Sequence, residues 1–300
     1  MILSLLNQRT LFAFASFLTA LPGGKVAQDG QHVSEGGNNW MIEDLADSHT
    51  LEIQPFGPIH LPTLPPIQVL GITVDLSPTK YLIFLWIAAL IVTLGLILLA
   101  RRKQDDLIPR GWKNVIDVFI VFIRDEVIIP TIGHEGIKFL PFLLTLFFFI
   151  LTSNLLGLIP DAITPTGNIN VTAGLALISF LVIQGSGIAK HGLIGYFRGL
   201  VPPGIPFFVI PIMVAVEFIG LFTKPFALTV RLFANMTAGH IVIFSLIGLI
   251  FLFKTVAVAP ISIGFALFIY FMEIMIAFIQ AYIFTILTAL FIGLAVHQEH

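Results

Sequence analysis

The sequence predicts an all-α polytopic membrane protein: five membrane helices, including a long, steeply inclined C-terminal helix hairpin, plus one amphipathic interfacial helix. Three observations carry this. Apolar residues make up 57% of the 300 and charged residues only 11%, less than half the share of about 25% usual in soluble domains. Uncharged runs as long as a bilayer is thick recur along the chain. The last third holds two apolar stretches too long for upright spans. A net charge of −2 leaves no electrostatic footprint for nucleic acid, so no such partner is expected. The absence of cysteine excludes disulfides, thiolate catalysis and Cys-based metal sites.

Residues 1–20, "MILSLLNQRTLFAFASFLTA", place Arg9 before a short apolar run ending in small residues. This reads either as a signal peptide cleaved near Ala20 or as an interfacial helix that stays attached. Residues 21–79 form an extramembrane N-terminal extension, where seven prolines, from Pro22 to Pro78, break any long helix. Within it "WMIEDLADS" (40–48) is compatible with one short helix, and the rest reads as extended.

The membrane domain covers 80–300. Tyr81 to Ala100 is 20 residues without a charge, enough to span a core of about 30 Å. It stops at Arg101, Arg102 and Lys103, which marks that end as cytoplasmic and the extension as external. In "GWKNVIDVFIVFIRDEVII" (111–129), Lys113, Asp117 and Arg124 share one helical stripe and the remainder is apolar. Such a helix lies on the surface or against a partner rather than crossing. Residues 137–160 and 171–189 are the next crossings, joined by an outer loop at 161–170; a cytoplasmic loop with Lys190, His191 and Arg198 follows over 190–206. The stretches 207–253 and 261–296 then give helices of about 70 Å and about 54 Å, so they tilt steeply, bend, or run close to the membrane plane. Pro225 is the one strong break candidate in the first. Joined near "TVAVAP" (255–260), the two make an antiparallel hairpin, and the C-terminus ends in the cytoplasm after five crossings.

Glu217, Arg231, His240 and Glu273 are ionisable and lie away from the hairpin's ends. Intramembrane charges face a bundle interior or water and mark ion or proton paths. Glu217 and Arg231, 14 residues apart, share a face about 21 Å apart, with Asn235 one turn beyond. On the other helix Glu273 and Gln280 are seven apart, again on one face. With Gln280 level with Arg231, Glu273 and His240 reach nearly the same depth. The expectation is two polar layers: a central one of Arg231 with Gln280, and an outer one of His240 with Glu273, with Glu217 on the inner side. His and Glu together pass protons near neutral pH. Plainer readings stand beside each: Arg231 satisfying a carboxylate of its own chain, His240 capping a helix contact, Asn235 and Gln280 as interhelical hydrogen-bond glue.

Other motifs carry less. His134–Glu135 is followed by Gly136, Ile137 and Lys138, so the zinc-protease spacing fails. "HQEH" at 297–300 reads as a solvated tail rather than a metal site. "NVT" at 170 and "NMT" at 235 match a glycosylation pattern but lie at or in the membrane. No Walker A loop or dinucleotide fingerprint occurs, so no nucleotide, metal or cofactor is expected on this chain.

"KPFALTVRLFANMTAGH" (224–240) and "FIQAYIFTILTALFIGLA" (278–295) resemble the two signatures of subunit a of the F-type ATP synthase. "SNLLGLIP" (153–160), "NVTAGLAL" (170–177) and "DLSPTKYLIFLWIAAL" (75–90) are similar to the same family, so the likeness covers about 70–300. The resemblance implies a proton-translocating stator subunit in a bacterial plasma (inner) membrane. Its implied partners are a ring of c subunits, subunit b of the peripheral stalk, the remaining synthase subunits and the lipid bilayer. By the same resemblance two offset half-channels lead to the ring carboxylates and Arg231 separates them. Gln280 then stands beside Arg231, His240 with Glu273 form the outer pair, Glu217 lines the inner channel, and Asn235 is polar near the arginine. Some members carry an acid where this chain has Gly157; Asn154 and Asp161 are the candidates to replace it. The alternative is a standalone secondary ion transporter using the same charges, against which the chain shows no internal repeat. A purely structural anchor leaves the four buried ionisable residues without a purpose.

Overall fold

The structure is a computed structural model and describes residues 50–53, 57–60, 67–69, 72–74, 78–100, 112–159, 162–199, 208–253 and 258–297. The possible signal segment 1–20, the short helix at 40–48, the basic run 101–103, Asp161, and the tail beyond His297 lie outside these residues.

Part of the N-terminal extension is more regular than extended chain. Strands β1 (Thr50–Ile53) and β2 (Gly57–His60) pair antiparallel, with Thr50 opposite His60 and Ile53 opposite Gly57. A second ribbon pairs β3 (Ile67–Val69) with β4 (Ile72–Val74). A two-stranded ribbon tolerates Pro58 because, among the described residues, its strand pairs along one edge only.

The remainder is helical. Helix α1 (Lys80–Ala100) packs on α4 (Leu140–Leu156) and exposes Trp86, Leu90 and Leu94 on its other side. Helix α2 (Trp112–Phe122) runs into a π-helical stretch, Ile123–Ile128, then into α3 (Ile129–Ile132). The π stretch begins just before Arg124 and turns the residues that follow away from the stripe of Lys113, Asp117 and Arg124. An extra residue per turn shifts the helical phase, and Arg124 turns to its neighbour Asp125, donating from Nε at 2.7 Å and Nη2 at 2.9 Å. Those bonds hold the Asp125 carboxyl below its usual range, against partial desolvation. The phase shift also gathers Ile123, Val127, Ile128 and Ile132 onto one buried face.

After Gly133 (φ 82°) a 3₁₀ segment, His134–Phe139, leads into α4. Helix α5 (Ile169–Arg198) starts at an Asn168 cap, whose side chain accepts from the Asn170 N–H at 2.9 Å. Lys190 pairs with Glu135 at 2.8 Å, the helix breaks two residues later at Gly192, whose φ of 72° suits glycine, and a second helical stretch follows. Tyr196 then folds back to donate to Gln184 Oε1 at 2.6 Å. The predicted loop at 190–206 is thus helical as far as Arg198.

Helices α6 (Ile210–Phe253) and α7 (Ala259–Val296) are the long hairpin. Helix α6 continues through Pro225; the Thr229 hydroxyl donates to the Pro225 carbonyl at 2.9 Å. Among the described residues five helical segments are long and apolar enough to cross a membrane: Lys80–Ile97, His134–Leu156, Ile169–Tyr196, Ile210–Ile250 and Ala259–Val296.

Helix α7 is the centre of the bundle, packing against α3, α4, α5 and α6. Its sequence explains this. Ala277, Ala281, Thr285, Ala289 and Gly293 recur every four residues and are all buried. Lipid offers no hydrophobic drive for helix association, so close approach through small residues supplies the attraction. At Gly293 the approach is close: a Cβ there would overlap the carbonyl oxygen of Thr131. The hydroxyls of Thr285 and Thr288 bond back to Ala281 O and Phe284 O, each at 2.8 Å, which satisfies them without water.

Candidate functional site in the paired C-terminal helices

Two cross-helix contacts define the register of α6 and α7. Asn235 Nδ2 donates to Gln280 Oε1 at 2.9 Å, and the Lys224 ammonium lies 5.0 Å from the Phe291 ring centroid. These contacts are eleven residues apart on both helices, as a uniform antiparallel pairing requires. Arg231 is therefore level with Phe284, and Gln280 sits one turn nearer the α6–α7 connection. Asn235, one turn from Arg231, is the residue that bonds Gln280.

Arg231 itself is exposed and makes no hydrogen bond or ion pair with any described residue. It is not buried by its own chain. Leu228, Leu232 and Met236 form the buried stripe of α6, and Arg231 projects to the side of it. Ala227, Ala234 and Ala238 flank it on the same exposed side. Only 6% of the α6 span is buried, against 39% of the α7 span. Glu217 is half-buried and has no ion pair among the described residues.

His240 and Glu273 do meet. Nδ1 of His240 is 3.6 Å from Oε1 of Glu273, and Glu273 is 5% exposed. Neither of those two atoms has a hydrogen-bond partner among the described residues. Gly239 makes the room: a Cβ there would overlap Glu273 Oε1.

The other side of the His240 ring faces the end of α4. Nε2 lies 3.2 Å from the Gly157 carbonyl and 3.1 Å from Thr164 Oγ1. The last carbonyls of a helix have no partner within it, and Gly157 follows directly after α4. The next carbonyl, Leu158 O, accepts from the Tyr270 hydroxyl of α7. Asn154 does not reach His240; its Oδ1 accepts from the Thr166 hydroxyl at 2.6 Å, and both residues are fully buried.

Sequence reasoning missed Thr164, the Gly157 carbonyl, Thr166, Tyr270 and Lys224. The available signal was "TPTGN" (164–168), a polar stretch between two spans that read only as an outer loop. At the opposite end, His297 is not part of a solvated tail: its Nε2 is 2.8 Å from Ile132 O, while His191 Nε2 is 2.9 Å from Val296 O. Among the described residues no three His, Asp or Glu side chains gather as a metal site.

The fold and this seam define an integral membrane protein that keeps ionisable groups along a pair of membrane-length helices. The profile of the ATP synthase A chain family matches residues 82–293. ATP synthase subunit a of Chloroherpeton thalassium is 53% identical over 263 residues, covering 86% of this chain and 77% of that one. ATP synthase subunit a 2 of Chlorobium luteolum is 48% identical over 277 residues (91% and 80%), and subunit a of Myxococcus xanthus 50% over 228 (75% and 75%). The chain belongs to this family, that of subunit a of the F-type ATP synthase, the proton-translocating component of its membrane sector.

Proposed function

We propose that this chain provides two offset proton half-channels to the carboxylates of a c-subunit ring, with Arg231 standing between them, so that proton flow turns the ring. His240 and Glu273 take up protons on one side, and Glu217 lines the path on the other. The N-terminus lies outside, the C-terminus in the cytoplasm, and subunit b and the remaining synthase subunits complete the assembly.

The observation that carries this reading is the state of Arg231. An arginine of the membrane region that the described residues leave exposed and unpaired calls for an anion from elsewhere, because desolvating a lone charge costs several kcal/mol. The flanking Ala227, Ala234 and Ala238 admit the backbone of a partner helix closely enough for a carboxylate to reach it. Arginine keeps its proton in such a place where lysine readily gives it up, so it holds an ionised carboxylate yet passes no proton itself. One charge crossing the membrane carries about 2.3 kcal/mol per 100 mV. That energy turns the ring only if the two half-paths stay separate.

The test is paired: proton-driven ATP synthesis and passive proton flux, both in vesicles holding the assembled complex. Arg231→Ala is expected to assemble, to lose synthesis, and to keep or raise the passive flux. Arg231→Lys is expected to lose most of its synthesis too. An Arg231→Ala complex that assembles fully and makes ATP at close to the native rate overturns the half-channel reading.

A further inference from the structure

The segment between α4 and α5 brings a hydroxyl to His240 that spacing along the two long helices does not foresee. We propose that Thr164 is the positioning residue of His240: together with the Gly157 carbonyl it keeps the proton on Nε2 and aims Nδ1 at Glu273, and position 157 is a glycine so that Thr164 can stand there. This rests on the reading of His240 and Glu273 as a proton-passing pair.

The tautomer follows from the acceptors. A carbonyl oxygen only accepts, so the contact of His240 Nε2 with Gly157 O at 3.2 Å requires a hydrogen on Nε2. Thr164 Oγ1, at 3.1 Å, flanks the same hydrogen as a second acceptor. Turning the ring over would present a C–H to both oxygens, so the two together lock its orientation. With Nε2 holding its hydrogen toward these acceptors, Nδ1, which faces Glu273 Oε1 at 3.6 Å, is the nitrogen that exchanges the proton. In the exchange the Nδ1–H bond breaks and an Oε1–H bond forms. An imidazolium and a carboxylate become a neutral imidazole, protonated on Nε2, and a neutral carboxyl. Nε2 keeps its hydrogen throughout.

Gly157 and Thr164 compete for one place. A Cβ at Gly157 would overlap both Oγ1 and Cβ of Thr164. Thr164 is buried, at 4% exposed, and its carbonyl accepts from the Gly167 N–H at 2.9 Å across the turn at Pro165. Tyr270 holds the neighbouring carbonyl of Leu158 from the α7 side, so the chain on both sides of the acceptors is fixed. A hydroxyl reached from position 164 thus occupies the space that any side chain at 157 would need.

The experiment uses the whole complex in vesicles and compares Thr164→Val, which keeps the shape and loses the hydroxyl, with Thr164→Ser, which keeps the hydroxyl. Assembly is measured alongside, and Thr164→Ala replaces the valine variant if that one does not assemble. Loss of one such hydrogen bond is expected to lower proton-driven ATP synthesis about tenfold in Thr164→Val, while Thr164→Ser stays within about twofold of the native rate. Gly157→Ala, which drives Thr164 out of its place, is expected to follow Thr164→Val. Equal rates in the valine and native complexes, or an equal fall in valine and serine variants, overturn the proposal. His240→Ala and Glu273→Gln are run in the same series. If they too leave synthesis unchanged, the proton-passing pair itself is refuted; if they abolish it while Thr164→Val is silent, only the role of Thr164 falls.

Discussion

Glycine at position 239 has a reason that only its neighbour across the seam supplies. A methyl group there would overlap Glu273 Oε1, and the carboxyl would have to leave its place beside His240 Nδ1. Gly239→Ala is therefore expected to lower proton-driven synthesis about tenfold, although alanine favours the helix by about 1 kcal/mol. Gly174→Ala, where nothing lies within 4 Å, is the control and should leave the rate unchanged. Synthesis at the native rate in assembled Gly239→Ala complexes would separate Glu273 from the proton path. Glu217 gives a second residue-scale test. The chain has no cysteine, so Glu217→Cys carries its only thiol. A membrane-impermeant thiol reagent added on the cytoplasmic side should label it, and failure to label under any condition counts against the inner half-channel.

Among the elements, α7 determines how the bundle holds together and the α6–α7 pair how it sits in lipid. Gly293 meets the backbone oxygen of Thr131, which cannot swing aside. Gly293→Ala should therefore destabilise the chain by about 1–3 kcal/mol through overpacking, seen as a lower unfolding temperature in detergent. Gly187 is also crowded, by the buried Tyr196 ring and the Ala295 carbonyl, so Gly187→Ala is expected to destabilise the chain as well. An unchanged unfolding temperature in Gly293→Ala would show that the α3–α7 crossing is looser than its geometry. Helix α6 has 44 residues. At 1.5 Å per residue that is about 66 Å, more than twice the hydrocarbon thickness, so a straight α6 lies about 60° from the membrane normal. A structure in lipid with α6 within about 25° of the normal contradicts this inclination.

For the whole molecule the prediction concerns topology and company. An external N-terminus and a cytoplasmic C-terminus follow from the basic residues at 101–103 and at Lys190 and Arg198. A reporter fused after residue 300 that reads as external overturns that orientation. Helix α6 leaves most of its span uncovered, with Ala227, Ala234 and Ala238 exposed on the side of Arg231. Gentle solubilisation should bring down a ring of small two-helix subunits with this chain. Replacing Ala234 with Trp on that face should weaken the association, measured by the ring recovered per chain.

Much of this architecture was legible in the residues because its causes are local. Helix length, the alternation of spans and polar segments, and the faces carrying Glu217, Arg231, His240 and Glu273 follow from a rise of about 1.5 Å and about 3.6 residues per turn. The amphipathic helix and the hairpin came from the same rule. Only the tertiary structure decided which polar groups meet. Asn235 bonds Gln280 because the axial offset of two antiparallel helices is set by contacts between them, not by the periodicity of either. The π stretch at Ile123–Ile128 and the turn at Gly192 arise where a buried face or a folded-back Tyr196 outweighs local preference. Thr164 reaches His240 across 76 residues of chain, through a loop whose path no periodicity encodes. Periodicity acts within one helix and is written in the sequence; register between helices and the course of a loop are set by close contacts between distant segments, and those exist only once the chain has packed.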